Sequence, residues 1–359
     1  MGRVQSVVRP YAPSWVDALV GWIERLPGPA WLAFGVLAAL LLGFVALEAT
    51  LSSRGLFGQD PLYFGYAFIH FYPLAAYYYL SRGAMAAWDA FRPATDFDDD
   101  AARRMRIELS TTPARPVAVI TVVSALTYGA LLLASPAGFD LVGHQPAFVA
   151  LRVLSEVFLL APLSMIVVYL LFRQLRIVSR LHRSVVTVDL LEPGPLQAMA
   201  KLTARSAFVL LAFQLIAVLP LPNLSDSVRL TMFLIVLPFL ALTAAAFFVP
   251  LRGMHGRLET EKERLQSEVS SRIKAAMTTL HGLVDDEAVA TRDADSSRLA
   301  QVRIDALNKA LTTLFQERDF VRRLSTWPWD PSTLRTVLSA VALPIVLFLM
   351  TRALERFVL

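Results

Sequence analysis

Seven long apolar stretches, separated by polar loops of uneven charge, constrain the fold of this 359-residue chain more than any other feature. Apolar runs of about 20 residues can cross roughly 30 Å of hydrocarbon as helices, and backbone amides in lipid must be hydrogen-bonded within the segment. We therefore predict an all-α, polytopic membrane protein. The seven predicted spans are Trp31–Ala49, Leu62–Leu80, Val117–Ala134, Ala150–Phe172, Ala207–Leu221, Leu230–Val249 and Leu334–Met350.

The composition supports the membrane prediction and excludes several kinds of chemistry. The chain is 56% hydrophobic and 18% charged, whereas average chains carry about a quarter of charged residues. Cysteine is absent, which excludes disulfides, thiolate metal sites and thiol nucleophiles. Heavy use of Arg, Ala and Leu is typical of GC-rich prokaryotic genomes, and we expect no cleavable signal peptide. The expected location is the inner or plasma membrane of the cell.

The distribution of positive charge predicts the orientation. The loops 82–116 and 173–205 are rich in Arg, whereas 137–149 contains neither Arg nor Lys. Positive loops stay on the cytoplasmic side of a membrane. The N-terminus is then cytoplasmic, the C-terminus lies outside after seven crossings, and the long polar stretch 251–333 is cytoplasmic.

That polar stretch contains two narrow apolar stripes at heptad-like spacing, which predict an antiparallel helical hairpin or coiled coil. The acidic segment Asp285–Ser297 is the predicted turn. Each stripe is too narrow to be buried alone, so its partner is the other arm, a second protomer, or both. The stripes consist of Leu258, Leu265, Val269, Ile273, Ala276, Leu280 and Leu283, and of Leu299, Arg303, Leu307, Leu311, Leu314 and Val321.

Three regions follow from these patterns. Residues 1–250 form a six-helix transmembrane region with cytoplasmic loops, 251–326 form the cytoplasmic hairpin, and 327–359 contain the seventh helix and the outside C-terminus. Trp327 and Trp329 are expected to anchor the re-entry at the headgroups, where aromatic residues are enriched.

Ionisable residues at membrane depth are candidates for function because their burial in lipid is costly. Glu156 is the strongest candidate. Arg152 lies four residues earlier on the same helix face, at a spacing that allows an ion pair. The pair predicts a gating or ion-binding carboxylate in a wet cavity. The alternative is an arginine that reaches out to the nearby interface.

Other polar residues in the spans are weaker candidates. His70 could titrate near neutral pH as a sensor, or could simply be hydrogen-bonded among aromatics that could line a hydrophobic ligand pocket. Gln214 is a polar group in the short fifth span. Thr336 and Ser339 share a face of the last helix, where they could line a narrow pore or support close helix packing.

Sites for metals, cofactors and catalysis are not expected. The phosphate-binding, dinucleotide-binding, zinc-protease and nucleophile-elbow motifs are missing from the sequence. His144, His182 and His255 show no metal-ligand spacing. The acidic run at Asp96 and 98–100 lacks the glycine and the final glutamate of an EF-hand, so it predicts a helix N-terminus, with a weak Ca²⁺ site as the alternative. A non-enzymatic protein without nucleic-acid partners is expected.

An oligomeric ion channel, assembled through the hairpin and the last helix, is the first functional hypothesis. A membrane sensor that relays a lipid, ligand or mechanical signal to a cytoplasmic protein is the alternative. A transporter is less favoured because no internal repeat is evident. The layout of seven crossings, a cytoplasmic N-terminus and a long excursion before the last helix is similar to that of insect olfactory and gustatory receptor channels. The resemblance is one of topology, and no functional residue is carried over from it. The expected partners are membrane lipid, further copies of the chain and that cytoplasmic protein.

Overall fold

The structure is a computed structural model, and it describes residues 10–58, 65–136, 141–184, 190, 194–218, 226–289 and 294–327 and six single positions between 335 and 350. Within these residues the regular structure is helical and no strand occurs, so the all-α prediction is confirmed for this part of the chain. The α-helices are α1 (Trp15–Ile23), α2 (Ala30–Leu51), α3 (Tyr66–Phe91), α4 (Asp99–Ser110), α5 (Ala114–Ala134), α6 (Pro146–Ser155), α7 (Ala161–Ser184), α8 (Gly194–Val218), α9 (Asp226–Val289) and α10 (Ala294–Arg323).

Three helical segments of the described residues are long and apolar enough to cross a membrane: Ala30–Leu51, Ala114–Ala134 and Pro146–Leu181. They contain most or all of the first, third and fourth predicted spans. Much of their apolar surface is exposed, as for Leu40 and Leu133. Contiguous exposed apolar surface of this kind is unusual in a soluble monomer, and lipid would cover it.

The other four predicted spans stay predictions. Leu62–Leu80 falls mostly in α3 and Ala207–Leu221 mostly in α8, while Leu230–Val249 is part of the 64-residue helix α9. The stretch Leu334–Met350 lies largely outside the described residues.

The chain forms two compact units. The first consists of Met1–Ser184, Gly194–Pro250 and Trp329–Leu359, and the second of Val185–Pro193 and Leu251–Pro328. In the first unit, α3 packs against α2, α4, α7 and α8. Its central position is reflected in a core of large buried side chains, which includes Leu74, Tyr77, Leu80, Leu163, Ile166 and Leu170.

The start of α1 is fixed by the partly buried carboxylate of Asp17. Ser14 and Asp17 form a capping box, in which each side chain accepts a hydrogen bond from the backbone of the other. The Asp17 carboxylate also accepts from the Tyr77 hydroxyl at 2.6 Å and from the Thr112 backbone N–H at 3.1 Å. Backbone pairing of residues 12–14 with 112–114 completes the junction. These contacts hold α1 to α3 and to the start of α5.

A second polar junction lies beside the first. Arg173 of α7 donates from Nη2 to the Tyr11 hydroxyl at 3.1 Å and from Nε to the Glu108 carbonyl at 3.2 Å. Burial raises the pKa of Tyr11, so its hydroxyl keeps the proton that it can donate to the Thr111 carbonyl. Arg173 therefore stabilises the interior rather than only marking a positive loop.

The acidic run before α4 caps a helix, as the sequence predicts. The Asp98 side chain accepts a hydrogen bond from the Ala101 N–H at 2.6 Å, and Asp99 and Asp100 occupy the first turn. Acidic side chains are favourable there because the N-terminus of a helix carries partial positive charge.

In the second unit, α9 and α10 contact each other through the predicted apolar stripes. Val269, Ile273 and Leu311 are buried together, and Ala276, Leu280, Leu314 and Phe315 pack against them. The second stripe is less complete than predicted, since Leu299 and Arg303 are exposed. The helices also extend into the predicted turn, because α9 continues to Val289 and α10 begins at Ala294.

Polar contacts accompany this packing nearer the start of the unit. Lys262 donates from Nζ to the Arg322 carbonyl at 2.8 Å and to the Leu324 carbonyl at 2.7 Å. The His255 ring stacks on Trp327 with ring centroids 3.9 Å apart. From His255 onward along α9, the contacted residues of α10 and of the segment after it therefore come in reverse sequence order.

Candidate functional site

All three segments that could cross a membrane contribute side chains to one buried charged cluster. Glu48 comes from the last turn of α2 and Tyr128 from α5. Arg152 and Ser155 end α6, and Glu156 directly follows them. Glu48 is 0% exposed, Glu156 is 3% exposed and Arg152 is 8% exposed. Ionised side chains are almost never buried so completely unless they are paired.

The local backbone is unusual at this point. Helix α6 begins with Pro146 at its first position, where a missing N–H costs nothing. After Ser155 the chain makes a π-helical turn, Glu156–Leu160, before α7 continues. Such π turns are rare and occur often at functional sites. This one places Glu156 at the change of helical pitch.

The charged groups are held by short contacts. Arg152 Nε lies 2.8 Å from Glu156 Oε1, and Arg152 Nη1 lies 3.7 Å from Glu48 Oε2. The Tyr128 hydroxyl donates to Glu156 Oε2 at 2.7 Å, and the Ser155 hydroxyl is 3.0 Å from Glu48 Oε1. The guanidinium therefore lies between two carboxylates, each of which also has a hydroxyl partner.

This arrangement can bind or release charge inside an apolar protein. Electrostatic interactions are stronger there than in water, because the effective dielectric constant is lower. Removal of one member of a buried pair leaves the other uncompensated, which is costly. A change in the charge of either carboxylate would therefore act strongly on the position of Arg152.

The structure brings together the pair that the sequence singled out and adds residues that it missed. Arg152 and Glu156 form the expected contact, and the Arg152 side chain is buried in the protein. Glu48, Ser155 and Tyr128 were not predicted. Glu48 could have been noticed, since it is a carboxylate inside the first apolar run.

His70 lies elsewhere in the first unit, on the wall of an apolar cavity of about 420 Å³. The cavity is lined by α1, α2, α3 and the segment around Leu159 and Leu163. Its volume is in the range of small-molecule sites, which are mostly apolar with few polar groups. The His70 side chain is 2% exposed.

Gln214 is buried and donates from Nε2 to the Thr243 hydroxyl at 2.7 Å, which links α8 to α9. This is the interhelical hydrogen bond expected of polar residues in membrane helices. Ser339 is exposed, whereas Thr336 and Trp329 lie outside the described residues. Trp327 is stacked on His255. Gln214, Ser339 and Trp327 are not part of the charged cluster.

Two further histidines whose side chains the structure describes, His144 and His255, contact aromatic rings. His144 accepts a hydrogen bond from the Ser53 N–H at 3.1 Å and packs against Phe148. In the part of the chain that the structure describes, no group of three or more His, Asp and Glu side chains could hold a metal ion.

Comparison of the chain with protein-family models, with curated proteins and with solved structures finds no match. Its function is therefore inferred from the cluster, the cavity and the helices that carry them.

Proposed function

We propose that this chain is an oligomeric ion channel of the cell membrane, with the charged cluster of Glu48, Arg152 and Glu156 on its conduction or gating pathway. The observation that carries the proposal is the convergence of these charges from segments able to cross a membrane. Intramembrane ionisable residues are rare, and they mark ion pathways, proton relays and voltage sensors.

The cluster suits a gate because the Arg152 guanidinium can change the carboxylate with which it pairs. Arg152 now neutralises Glu156 more closely than Glu48, since the contact distances are 2.8 Å and 3.7 Å. A shift of the guanidinium toward Glu48 would uncover Glu156 and change the field that a passing ion meets. The π turn at Glu156 supplies a place where the helix can change register.

Assembly is proposed to run through residues 251–326, which form an antiparallel hairpin in the cytoplasm. The contacts between α9 and α10 occur in reverse sequence order, as in antiparallel helices, and this order supports the hairpin. Apolar side chains left on its surface support contact with another copy, because coiled-coil stripes are buried in pairs or larger sets. These are Leu299, Val302 and Phe320. The last helix, with Thr336 and Ser339, is proposed to complete the pore on the way to an outside C-terminus.

Ion flux from purified protein in liposomes tests the channel. Wild-type protein is expected to release a trapped cation, and Glu156→Gln is expected to lower the rate at least tenfold because Arg152 loses its charged partner. Glu24→Gln is the matched control, because Glu24 pairs with Arg82 at the surface. This variant should conduct as the wild type does. Absence of flux from the wild type, or equal flux from Glu156→Gln, would contradict the proposal.

A membrane sensor is the second candidate, and the apolar cavity beside His70 favours it. The cavity lies against α1, whose Trp15 and Trp22 are exposed, as suits a helix at a lipid surface. A lipid or other apolar ligand in the cavity would be perceived there and relayed through residues 251–326 to a cytoplasmic protein. Absence of flux, with saturable binding of a fluorescent fatty acid that Ala33→Trp abolishes by filling the cavity, would favour the sensor over the channel.

A further inference from the structure

The charged cluster contains an excess of negative charge. Arg152 supplies one positive charge, which a guanidinium does not lose in proteins. Glu48 and Glu156 supply two negative charges if both are ionised. All three side chains are almost completely buried. An uncompensated charge in a low-dielectric interior is costly, and the usual response is neutralisation of one group by a proton.

The polar contacts, an ion pair and hydrogen bonds, distinguish the two carboxylates. Both oxygens of Glu156 are engaged, one by Arg152 at 2.8 Å and the other by the Tyr128 hydroxyl at 2.7 Å. Such contacts favour the ionised form. Glu48 Oε2 lies 3.7 Å from Arg152 and accepts no hydrogen bond from the described residues. Glu48 is therefore the less well stabilised anion of the two.

Ser155 provides the means to accommodate a proton on Glu48. Its hydroxyl oxygen lies 3.0 Å from Glu48 Oε1 and 3.1 Å from the carbonyl of Arg152, three residues earlier in the chain. A hydroxyl has one hydrogen and can also accept, so it can donate to only one of these oxygens at a time. If the Ser155 hydrogen points to the carbonyl, the contact with Glu48 requires a proton on Oε1.

We propose that Glu48 is a reversible proton-binding site inside the membrane region. In the protonated state Glu48 donates to Ser155 Oγ, and Ser155 donates to the Arg152 carbonyl. When the proton leaves to water, the Ser155 hydroxyl rotates and donates to Glu48 Oε1, Arg152 is shared between the two carboxylates, and the cluster carries one excess negative charge. The inference rests on the proposed function for its setting, and it names the proton as the ion that the cluster binds.

A metal cation fits this site less well than a proton. Arg152 would repel it, and Glu156 has no free oxygen to offer. The groups that face Glu48 are those of α6 and the π turn, Arg152 and Glu156, with Tyr128 of α5 behind them. On α3, His70 lines the apolar cavity together with Leu37, Leu40 and Leu41 of α2. Beyond the end of α2, His144 contacts Ser53.

Infrared difference spectroscopy of the full chain in lipid nanodiscs, titrated with pH, tests the inference. A protonated buried carboxylic acid has a C=O stretch that a carboxylate lacks. Wild-type protein is expected to show one such band that disappears as the pH rises, and Glu48→Gln is expected to remove it entirely. Glu24→Gln, at the surface, should keep it. A band that survives in Glu48→Gln, or that disappears only in Glu156→Gln, would overturn the inference.

Ser155→Ala keeps the carboxyl group and removes its partner, so it separates proton binding from a folding defect. The band is expected to remain but to move in frequency, since the protonated Glu48 loses its hydrogen-bond acceptor. An unmoved band would contradict the role of Ser155. Flux is read separately: a titrating Glu48 in a protein without flux would refute the proposed channel alone, whereas flux without the Glu48 band would refute the proton site alone.

Discussion

Asp17, which is partly buried, and Glu48, which is fully buried, differ in how many hydrogen bonds their carboxylates accept. Asp17 accepts hydrogen bonds from the backbones of Ser14 and Thr112 and from the Tyr77 hydroxyl. Glu48 accepts one from Ser155 and has an oxygen without any from the described residues. Hydrogen bonds to a carboxylate lower the free energy of the anion, so Asp17 is suited to hold structure, whereas Glu48 is the carboxylate proposed to exchange a proton.

Tyr77→Phe tests the structural role of Asp17. The change removes a donor 2.6 Å from the carboxylate and leaves the ring in place, and hydrogen bonds to charged groups contribute about 1.5–3 kcal/mol. We expect a loss of that size in the free energy of unfolding, measured by denaturant titration in detergent. Tyr79→Phe, at an exposed tyrosine, is the control and should stay within about 0.5 kcal/mol of wild type. Equal effects of the two changes would refute the role.

For single residues, the sequence predicts only contacts between positions that are close together along the chain. Arg152 and Glu156 are four residues apart on one helix, so their pairing follows from helical geometry. Glu48 and Ser155 are separated by 107 residues, and their contact depends on which faces of α2 and α6 meet. That choice is made by packing, which a single sequence does not disclose. The π turn has no recognisable signal in the sequence either.

Helices α9 and α10 show how an apolar stripe becomes a contact between elements. The stripe predicts the buried positions Val269, Ile273 and Leu311 correctly. The prediction fails at Leu299, which is 63% exposed. Periodicity indicates which face of a helix is apolar, but not how far the partner helix extends along that face. The predicted turn was also too long, because the polar residues at Ala294–Ser297 already belong to helix α10.

A pair of leucines on α10 tests this packing. Leu311→Ala removes a side chain that is 7% exposed, and such changes cost about 2–5 kcal/mol when the cavity does not collapse. We expect amide hydrogen exchange of residues 294–323 to accelerate at least tenfold, since about 1.4 kcal/mol corresponds to a factor of ten. Leu299→Ala should leave exchange almost unchanged. Acceleration by both changes would mean that another copy of the chain covers Leu299.

For the whole molecule, orientation and the number of crossings remain predictions, and the absence of cysteine makes them accessible to experiment. Single cysteines at Asp96, Val142 and Arg303 fall on exposed positions. A membrane-impermeant maleimide on intact cells is expected to label only Val142→Cys, because positive loops remain inside. Labelling of Asp96→Cys instead would reverse the orientation.

A fourth cysteine counts the crossings. Arg356→Cys is expected to react from outside together with Val142→Cys if the spans number seven. Reaction only after the cells are opened, as expected for Asp96→Cys, would mean an even number. Apolar length predicted the spans Trp31–Ala49, Val117–Ala134 and Ala150–Phe172 from the sequence, and each lies within a helical segment that is long and apolar enough to cross a membrane. It says less about α3, whose buried aromatic and small residues serve contacts with neighbouring helices as much as any contact with lipid.

The Asp17 junction has a consequence for biosynthesis. Ser14 can cap α1 as soon as residues 14–17 leave the ribosome, but Thr112 lies 95 residues after Asp17. At a synthesis rate of about 5–20 residues per second, the Thr112 N–H emerges roughly 5–20 s after the Asp17 carboxylate to which it donates. During this interval the amphipathic first helix can rest on the bilayer surface, and its docking becomes a late event that follows insertion of the segments made in between.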